Sequence, residues 1–394
     1  MIHKSGSRFF LVALCACALV AGVLMTANVP QSVGLAKGPL PSRRAAWTVL
    51  APVSYKNLTI FPIRAGDAAA SADYITLDEG TRSGTVVITE KGAVAARGTR
   101  GGGGGANRRV QQQVSYNDNA SVNELALINK SGKKLLLLAG EVIVGGKQDR
   151  IVQEDRIIPP VSIPVALNVF CVEHGRWTPR TVSHTAGGGG GGSAAGRIVQ
   201  APMEASDEPA SPPKFSSLGA VAHPKLRGAA QDKKVQSEVW KEVSANNQKL
   251  GTANSTDTYQ EVYANKQVGA QMDDYIRTLE KEVLQPGVVG VVVARNGQLI
   301  WADIFAGQKL FAGYWPKLLK SYVIDALGDN TSEKRPTIAE AARYLEGRDG
   351  TISTTTQAGV YQLVKTESSA YAVFDLRDIS LANTLSVHFN KMDR

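Results

Sequence analysis

One acid in an apolar run constrains this chain more than any other feature. From Leu135 to Val144 the only charged side chain among ten residues is Glu141. A carboxylate so placed is buried or lies at the bottom of a cleft. Leaving a buried charge without its partner costs roughly 3–5 kcal/mol, so the fold must bring a cation to Glu141. Lys147 and Arg150, just past Gly145-Gly146, are near enough in sequence to reach back. Two readings follow. One is a structural ion pair that pins the glycine turn. The other is a site in which Glu141 is the acid or base while Lys147, Gln148 and Arg150 hold an anionic ligand. A phosphate loop is excluded. Gly140 to Lys147 is one residue too long, Gln148 stands where Ser or Thr is required, and a strand follows. The amides of Gly145 and Gly146 offer at most a small anion nest.

Periodicity around this block is that of strands. Leu58–Ile63, Val86–Thr89, Val122–Asn129, Lys134–Val144, Asp149–Val152 and Ser162–Val172 fit, with a short helix opened by a capping box from Thr76 to Glu79. Turn chemistry at Asn129 to Gly132 predicts a hairpin between its flanking runs. Residues 55–177 therefore read as a β-meander, sandwich-like or rolled. Residues 233–388 mix types. Val235, Val239 and Val243 stripe a helix ending near Gly251, and Met272, Ile276, Leu279 and Val283 stripe another stopped by Pro286-Gly287. Asn296-Gly297, between Val288–Ala294 and Leu299–Phe305, is the strongest short hairpin signal in the chain. A helix over Lys309–Leu327, another from Thr337 with a capping box to Glu340, and strands Thr351–Gln357, Tyr361–Thr366 and Ala370–Asp375 complete the pattern. The class is α+β rather than alternating β-α-β, with the β-rich half packed against a mixed helix–hairpin half.

Export is expected. Lys4 and Arg8 precede an unbroken apolar run from Phe9 to Met25, and small residues allow cleavage after Ala27 or Ala36. A retained anchor is the alternative, since a run of about 17 residues lies at the lower edge of what spans a bilayer. Residues 1–36 read as this segment and 37–54 as a linker. No later stretch is apolar enough to span, so the mature protein is expected to be soluble, in the periplasm, at the cell surface or secreted. Two of the three cysteines, Cys15 and Cys17, fall in the signal. The remaining Cys171 leaves no internal disulfide, and the fold must rest on packing. The formal net charge of +9 is spread rather than blocked, which gives no specific partner. A Gly/Arg-rich stretch at 96–109 and a Gly/Pro/Ser-rich one at 178–232 read as loops. Without aromatics between its arginines, the first is not read as binding nucleic acid.

Two further blocks carry chemistry. Cys171 to Trp177 places Glu173, Arg176 and Trp177 at a strand end, where a carboxylate, a planar cation and a large aromatic can bind a ring and a charged group together. The bland alternative is a salt bridge with Trp as core filler. Cys171 next to His174 lacks an orienting third group, so a thiol nucleophile is disfavoured. The third block holds Asp303, a lone acid on an apolar strand, and Lys317 with Ser321 and Tyr322 on one helix. Lys317 and Ser321 share a face, which admits a Ser–Lys pair or merely solvated lysines. The five histidines show no ligand spacing, so neither a metal nor a cofactor is expected.

Taken in order, Gly140-Glu141 with Gly145-Gly-Lys-Gln-x-Arg150, Cys171-Val-Glu-x-Gly-Arg-Trp177, and Asp303-Ile-Phe with Lys317-Leu-Leu-x-Ser-Tyr322 resemble the ARG and rhodanese-phosphatase-superfamily-associated protein domain. The likeness runs from about Tyr55 to about Val387. The family's name records association with ADP-ribosylglycohydrolase-type and phosphatase-like proteins, so the resemblance implies a nucleotide or ADP-ribose-like ligand. Val142 stands where the family often has a second acid, and position 174 is not tied to His. The resulting expectation is an exported ligand-binding or regulatory domain with one polar cleft. Glu141, Lys147, Gln148, Arg150, Glu173, Arg176 and Trp177 build that cleft, with Glu141 or Glu173 as base if it hydrolyses a phosphorylated or ribosyl compound. The remaining reading is a cell-surface interaction protein with no small-molecule site.

Overall fold

A computed structural model describes residues 30–34, 47–91, 123–175, 214–329, 332, 334–347 and 349–394. The chain enters through β1 (Pro30–Gly34), β2 (Thr48–Val49), β3 (Val53–Tyr55) and the longer β4 (Leu58–Arg64). Strand β5 (Tyr74–Ile75) leads into helix α1 (Leu77–Arg82), which starts where Thr76 and Glu79 close the expected capping box. Seven strands follow: β6 (Val86–Glu90), β7 (Glu124–Asn129), β8 (Lys134–Leu137), β9 (Glu141–Gly145), β10 (Arg150–Val152), β11 (Arg156–Ile158) and β12 (Val165–Cys171). The run Lys134–Val144 is thus two strands, broken where Gly140 takes φ 81°.

Residues 214–233, most of them assigned from sequence to the 178–232 loop, are ordered as β13 (Lys214–Val221), helix α2 (Pro224–Gly228) and a π-helical turn, Ala229–Lys233. Ser and Gly weaken the strand signal of Lys214–Val221. Pairing with β6 on one side and β9 on the other supplies what local propensity lacks. The second half then gives α3 (Gln236–Leu250), α4 (Glu261–Ala264), α5 (Lys266–Val283), β14 (Val288–Arg295), β15 (Gln298–Phe305), α6 (Gln308–Ala326) and α7 (Ile338–Glu346). It ends in β16 (Thr351–Gln357), β17 (Tyr361–Glu367), β18 (Tyr371–Asp378) and β19 (Leu385–Asp393). Sequence periodicity misses β19, because Ser386, His388, Asn390 and Lys391 interrupt its apolar residues.

The α+β class holds, and the strands resolve into three sheets. A ten-stranded antiparallel sheet runs β1-β16-β17-β18-β19-β15-β14-β4-β2, with β3 also on β4. A three-stranded sheet runs β11-β8-β5. Of the sandwich-like and rolled alternatives for the β-rich half, the strands take the closed form: β10-β12-β7-β6-β13-β9 is a barrel. Because β7 lies in the barrel and β8 in the small sheet, the hairpin expected at Asn129 to Gly132 is a link between sheets. Helix α6 buries Phe311, Trp315, Leu318, Leu319 and Tyr322 in the main core, while Ala341 and Leu345 of α7 pack with Phe61, Ile304 and Phe389 in a separate cluster.

Inside the barrel, Val86, Ile88, Leu125, Leu127, Ile143, Val152, Leu167, Val169 and Phe215 form one cluster, whereas Val142, Val144, Ile151 and Phe170 pack outward into the main core. Strand alternation then puts Glu141 and Ser217 on the inward face at one end, and Glu90, Arg150 and Cys171 on it at the other. The middle is apolar and both ends are polar.

Candidate functional site

At the first end, Glu141 meets its cation, which is neither Lys147 nor Arg150. Lys317 reaches in from α6, 176 positions away, and its Nζ pairs with Glu141 Oε1. The same Nζ lies 2.9 Å from Oδ2 of Asp78, in the first turn of α1, and Asp78 accepts a hydrogen bond from the Ser217 hydroxyl. Glu141 Oε2 accepts the Leu138 amide at 2.8 Å, and the Tyr314 ring lies 4.5 Å from the ammonium. Glu141 is fully buried, while the Asp78 side chain is 19% exposed, so the network touches solvent at Asp78. Burial pushes the Glu141 carboxyl up against the pull of Lys317. Burial also opposes the Lys317 charge, but Glu141 and Asp78 outweigh it and raise its pKa. For Asp78, burial is likewise overcome, and Lys317 and Ser217 hold its pKa low.

A second network lies beside the first, across the turn that Gly140 makes. Arg227 of α2 forms a two-pronged pair with Asp303, Nη1 to Oδ2 at 2.8 Å and Nη2 to Oδ1 at 3.1 Å. His388 bridges Asp303 Oδ1 through Nε2 at 3.1 Å and Asp155 Oδ2 through Nδ1 at 2.6 Å. The Tyr322 hydroxyl donates to Asp303, and Asp155 Oδ1 accepts the Ala139 amide at 2.7 Å. Arg227 Nε donates to the Ala139 carbonyl at 3.2 Å, so the turn from Leu138 to Glu141 ties the two networks together. All four ionisable partners are fully buried. Burial disfavours an imidazolium, but Asp155 and Asp303 outweigh it and raise His388 to about 9. Burial raises Asp303, and Arg227 and His388 more than reverse this, holding it well below the usual carboxylate range. Ser321 donates to the Ala222 carbonyl at 2.7 Å. With Lys317 held by two carboxylates, the Ser–Lys nucleophile reading is set aside.

At the opposite end, Gln148, Asp149 and Glu173 tie the β9–β10 turn to the end of β12. Gln148 Nε2 donates to the Glu173 carbonyl at 2.9 Å and the Asp149 amide to Glu173 Oε2 at 3.2 Å. Asp149 Oδ2 also accepts the Thr258 hydroxyl at 3.1 Å. Arg150 differs. It is 1% exposed, its Nη1 makes only long contacts to Gln148 Oε1 at 3.3 Å and to the Asp149 carbonyl at 3.4 Å, and its Nε has no partner. Cys171 stands opposite it in register and is in no disulfide; burial pushes its thiol up, away from the reactive thiolate. The Lys147 amide donates to Glu90 Oε1 at 3.0 Å.

The single cleft expected from sequence is therefore divided. Glu141 joins Lys317 at one end of β9, beside the Asp303, Tyr322 and Ser321 group. Lys147, Gln148, Arg150 and Glu173 gather at the other end. Arg176, Trp177 and the Gly/Arg-rich stretch at 96–109 lie outside the described residues, as do residues 1–29 and 35–36 of the 1–36 segment read as a leader, whose residues 30–34 form β1 on β16. Asp78, Glu90, Asp155, Arg227 and His388 escaped the sequence reading. For Asp78 the signal was available, since the capping box fixed where α1 begins. For His388, set aside for lack of metal spacing, only the pairing of β15 with β19 brings it against Asp303.

A closed barrel joined to a long antiparallel sheet, with two charge networks buried beside their shared turn, defines an α+β domain. The chain belongs to the family of the ARG and Rhodanese-Phosphatase-superfamily-associated Protein domain, whose model matches residues 46–377. The match ends before β19 and therefore before His388. No curated protein and no solved structure matches the chain.

Proposed function

We propose that this domain binds an anionic small molecule at the Arg150 end of its barrel, and that it does so outside the cytoplasm. One observation carries the binding reading. Among the described residues, no carboxylate lies within ion-pair distance of the buried Arg150 guanidinium, and its Nε is unpaired. A buried charge without a counter-charge is costly. A bound carboxylate or phosphate would supply that charge to a planar donor suited to it. Barrel ends are also a common place for small-molecule sites. The export reading rests on the order of charge, apolar run and small residues from Lys4 to Ala36.

Melting of the full chain with phosphate, dicarboxylates, sugar phosphates, nucleotides and ADP-ribose tests the binding. Ligand at ~100 times its dissociation constant adds about 2.7 kcal/mol to wild-type stability. Arg150→Gln without ligand is expected to melt no lower than wild type, because an uncompensated cation is removed, and to lose the ligand shift. A variant that melts far below wild type, or a shift retained in it, would refute Arg150 as the anchor. So would a wild-type protein indifferent to every anion. Cleavage of the bound compound by water would make the site a hydrolase. N-terminal sequencing of the protein from an extracytoplasmic fraction tests export, and an intact Met1 on cytoplasmic protein would sink it.

A further inference from the structure

We infer that the molecule held at this end of the barrel is a small zwitterion, its anionic group on Arg150 and its cationic group on Glu90. The inference rests on the anion-binding reading above. In the closed order β10-β12-β7-β6-β13-β9, strands β10 and β6 are three places apart in either direction, so they face each other across the barrel. Arg150 opens β10 and Glu90 ends β6. Register places both in the terminal layer of the barrel: Arg150 opposes Cys171 and Ile143, Glu90 opposes Leu125, and Phe215 opposes Gly145. Alternation with Val152 on one strand and with Ile88 on the other points both charged side chains inward.

Glu90 is 7% exposed, and among the described residues its carboxylate accepts one hydrogen bond, from the Lys147 amide. It has no cation within ion-pair distance there, as Arg150 has no anion. Two buried opposite charges thus stand on facing walls without touching. Each alone carries a desolvation cost, and a direct pair would have relieved both. A guest that bears both signs does the same. Glu90 is held in place by the turn after β9, where a Cβ on Gly146 would lie 2.8 Å from Glu90 Oε1 and 2.2 Å from Phe215 Cζ. Gly145 adds no side chain to the layer, and six strands make a narrow barrel, so a guest reaching both walls must be compact. Arg150 and Glu90 act on the Cys171 thiol in opposite senses, which puts that thiol within electrostatic reach of both. An α-amino acid, or another compact ammonium carboxylate, has the required charges.

Calorimetric titration of the full chain with matched compounds tests this. The common amino acids would be compared with their des-amino carboxylates and with the corresponding amines. The zwitterion is expected to bind at least about tenfold tighter than either half-molecule, equivalent to about 1.4 kcal/mol. Glu90→Gln should erase that preference while carboxylate binding persists, and Arg150→Gln should abolish both. Equal binding of an amino acid and its des-amino partner by wild type would overturn the zwitterion inference and leave the anion site standing. A preference that survives in Glu90→Gln would do the same. Absence of binding to every compound, the anions included, would remove both readings. The wild-type comparison needs no variant, so misfolding of a variant does not blunt it.

Discussion

His388 has a carboxylate on each ring nitrogen and no contact with solvent, so its proton is held by Asp155 and Asp303 together. Its pKa is raised to about 9, so the folded state binds this proton more tightly than the unfolded chain does. The resulting stability is complete below the unfolded value, roughly pH 6.5, and is lost as pH rises through about 9. The difference amounts to about 3 kcal/mol. Urea unfolding should therefore show wild-type stability falling across that window, with His388→Gln, neutral throughout, lacking the decline. A wild-type profile as flat as the variant's would reject the assignment. At this scale the sequence was half legible. A lone acid in an apolar run announced that Glu141 needs a cation, and Asp303 was marked on the same ground. Which cation answers was not readable, because Lys317 and Arg227 arrive from helices distant in the chain.

Among elements, the turns and caps were the most legible parts. Asn296-Gly297 makes its hairpin with φ 52° and 79°, and both capping boxes form. These features depend on neighbours in sequence, so local chemistry suffices. The turn between β8 and β9 is more demanding. Gly140 has φ 81°, and a Cβ there would lie 2.5 Å from Arg227 Cγ and 3.3 Å from Ala222 Cβ. Gly140→Ala should cost about 2–4 kcal/mol, from backbone strain and from displacing Arg227 off Asp303. Gly84 has φ 68°, and a Cβ added there would meet nothing within 4 Å, so Gly84→Ala isolates the strain alone, about 1 kcal/mol. Denaturant midpoints of the two variants would separate the terms. Equal losses would mean that contact with Arg227 contributes nothing.

For the molecule as a whole, β13 is the decisive strand. It follows residues 176–213 in sequence yet fills the gap between β6 and β9, so the barrel closes only with a strand from the stretch read as a loop. The cation for Glu141, Lys317, comes from beyond Gly175 too. A chain ending at Gly175 should therefore lack a cooperative unfolding transition, having two unpaired edges and an uncompensated Glu141. A sharp transition and dispersed amide resonances from that fragment would show the barrel half to be independent. By itself the sequence determined the α+β class, the family, most helices, the capped starts and the need for charge compensation at Glu141. The family rests on the resemblance of three widely separated blocks; each of the others follows from residues a few positions apart or from an apolar period. The tertiary structure alone decided that the strands close as a barrel and that β13 and β19 are strands at all. It also split the polar residues between two ends of β9, leaving Arg150 buried opposite Glu90. Those outcomes depend on which distant segments pair, and pairing is set by packing of the whole chain rather than by any local signal.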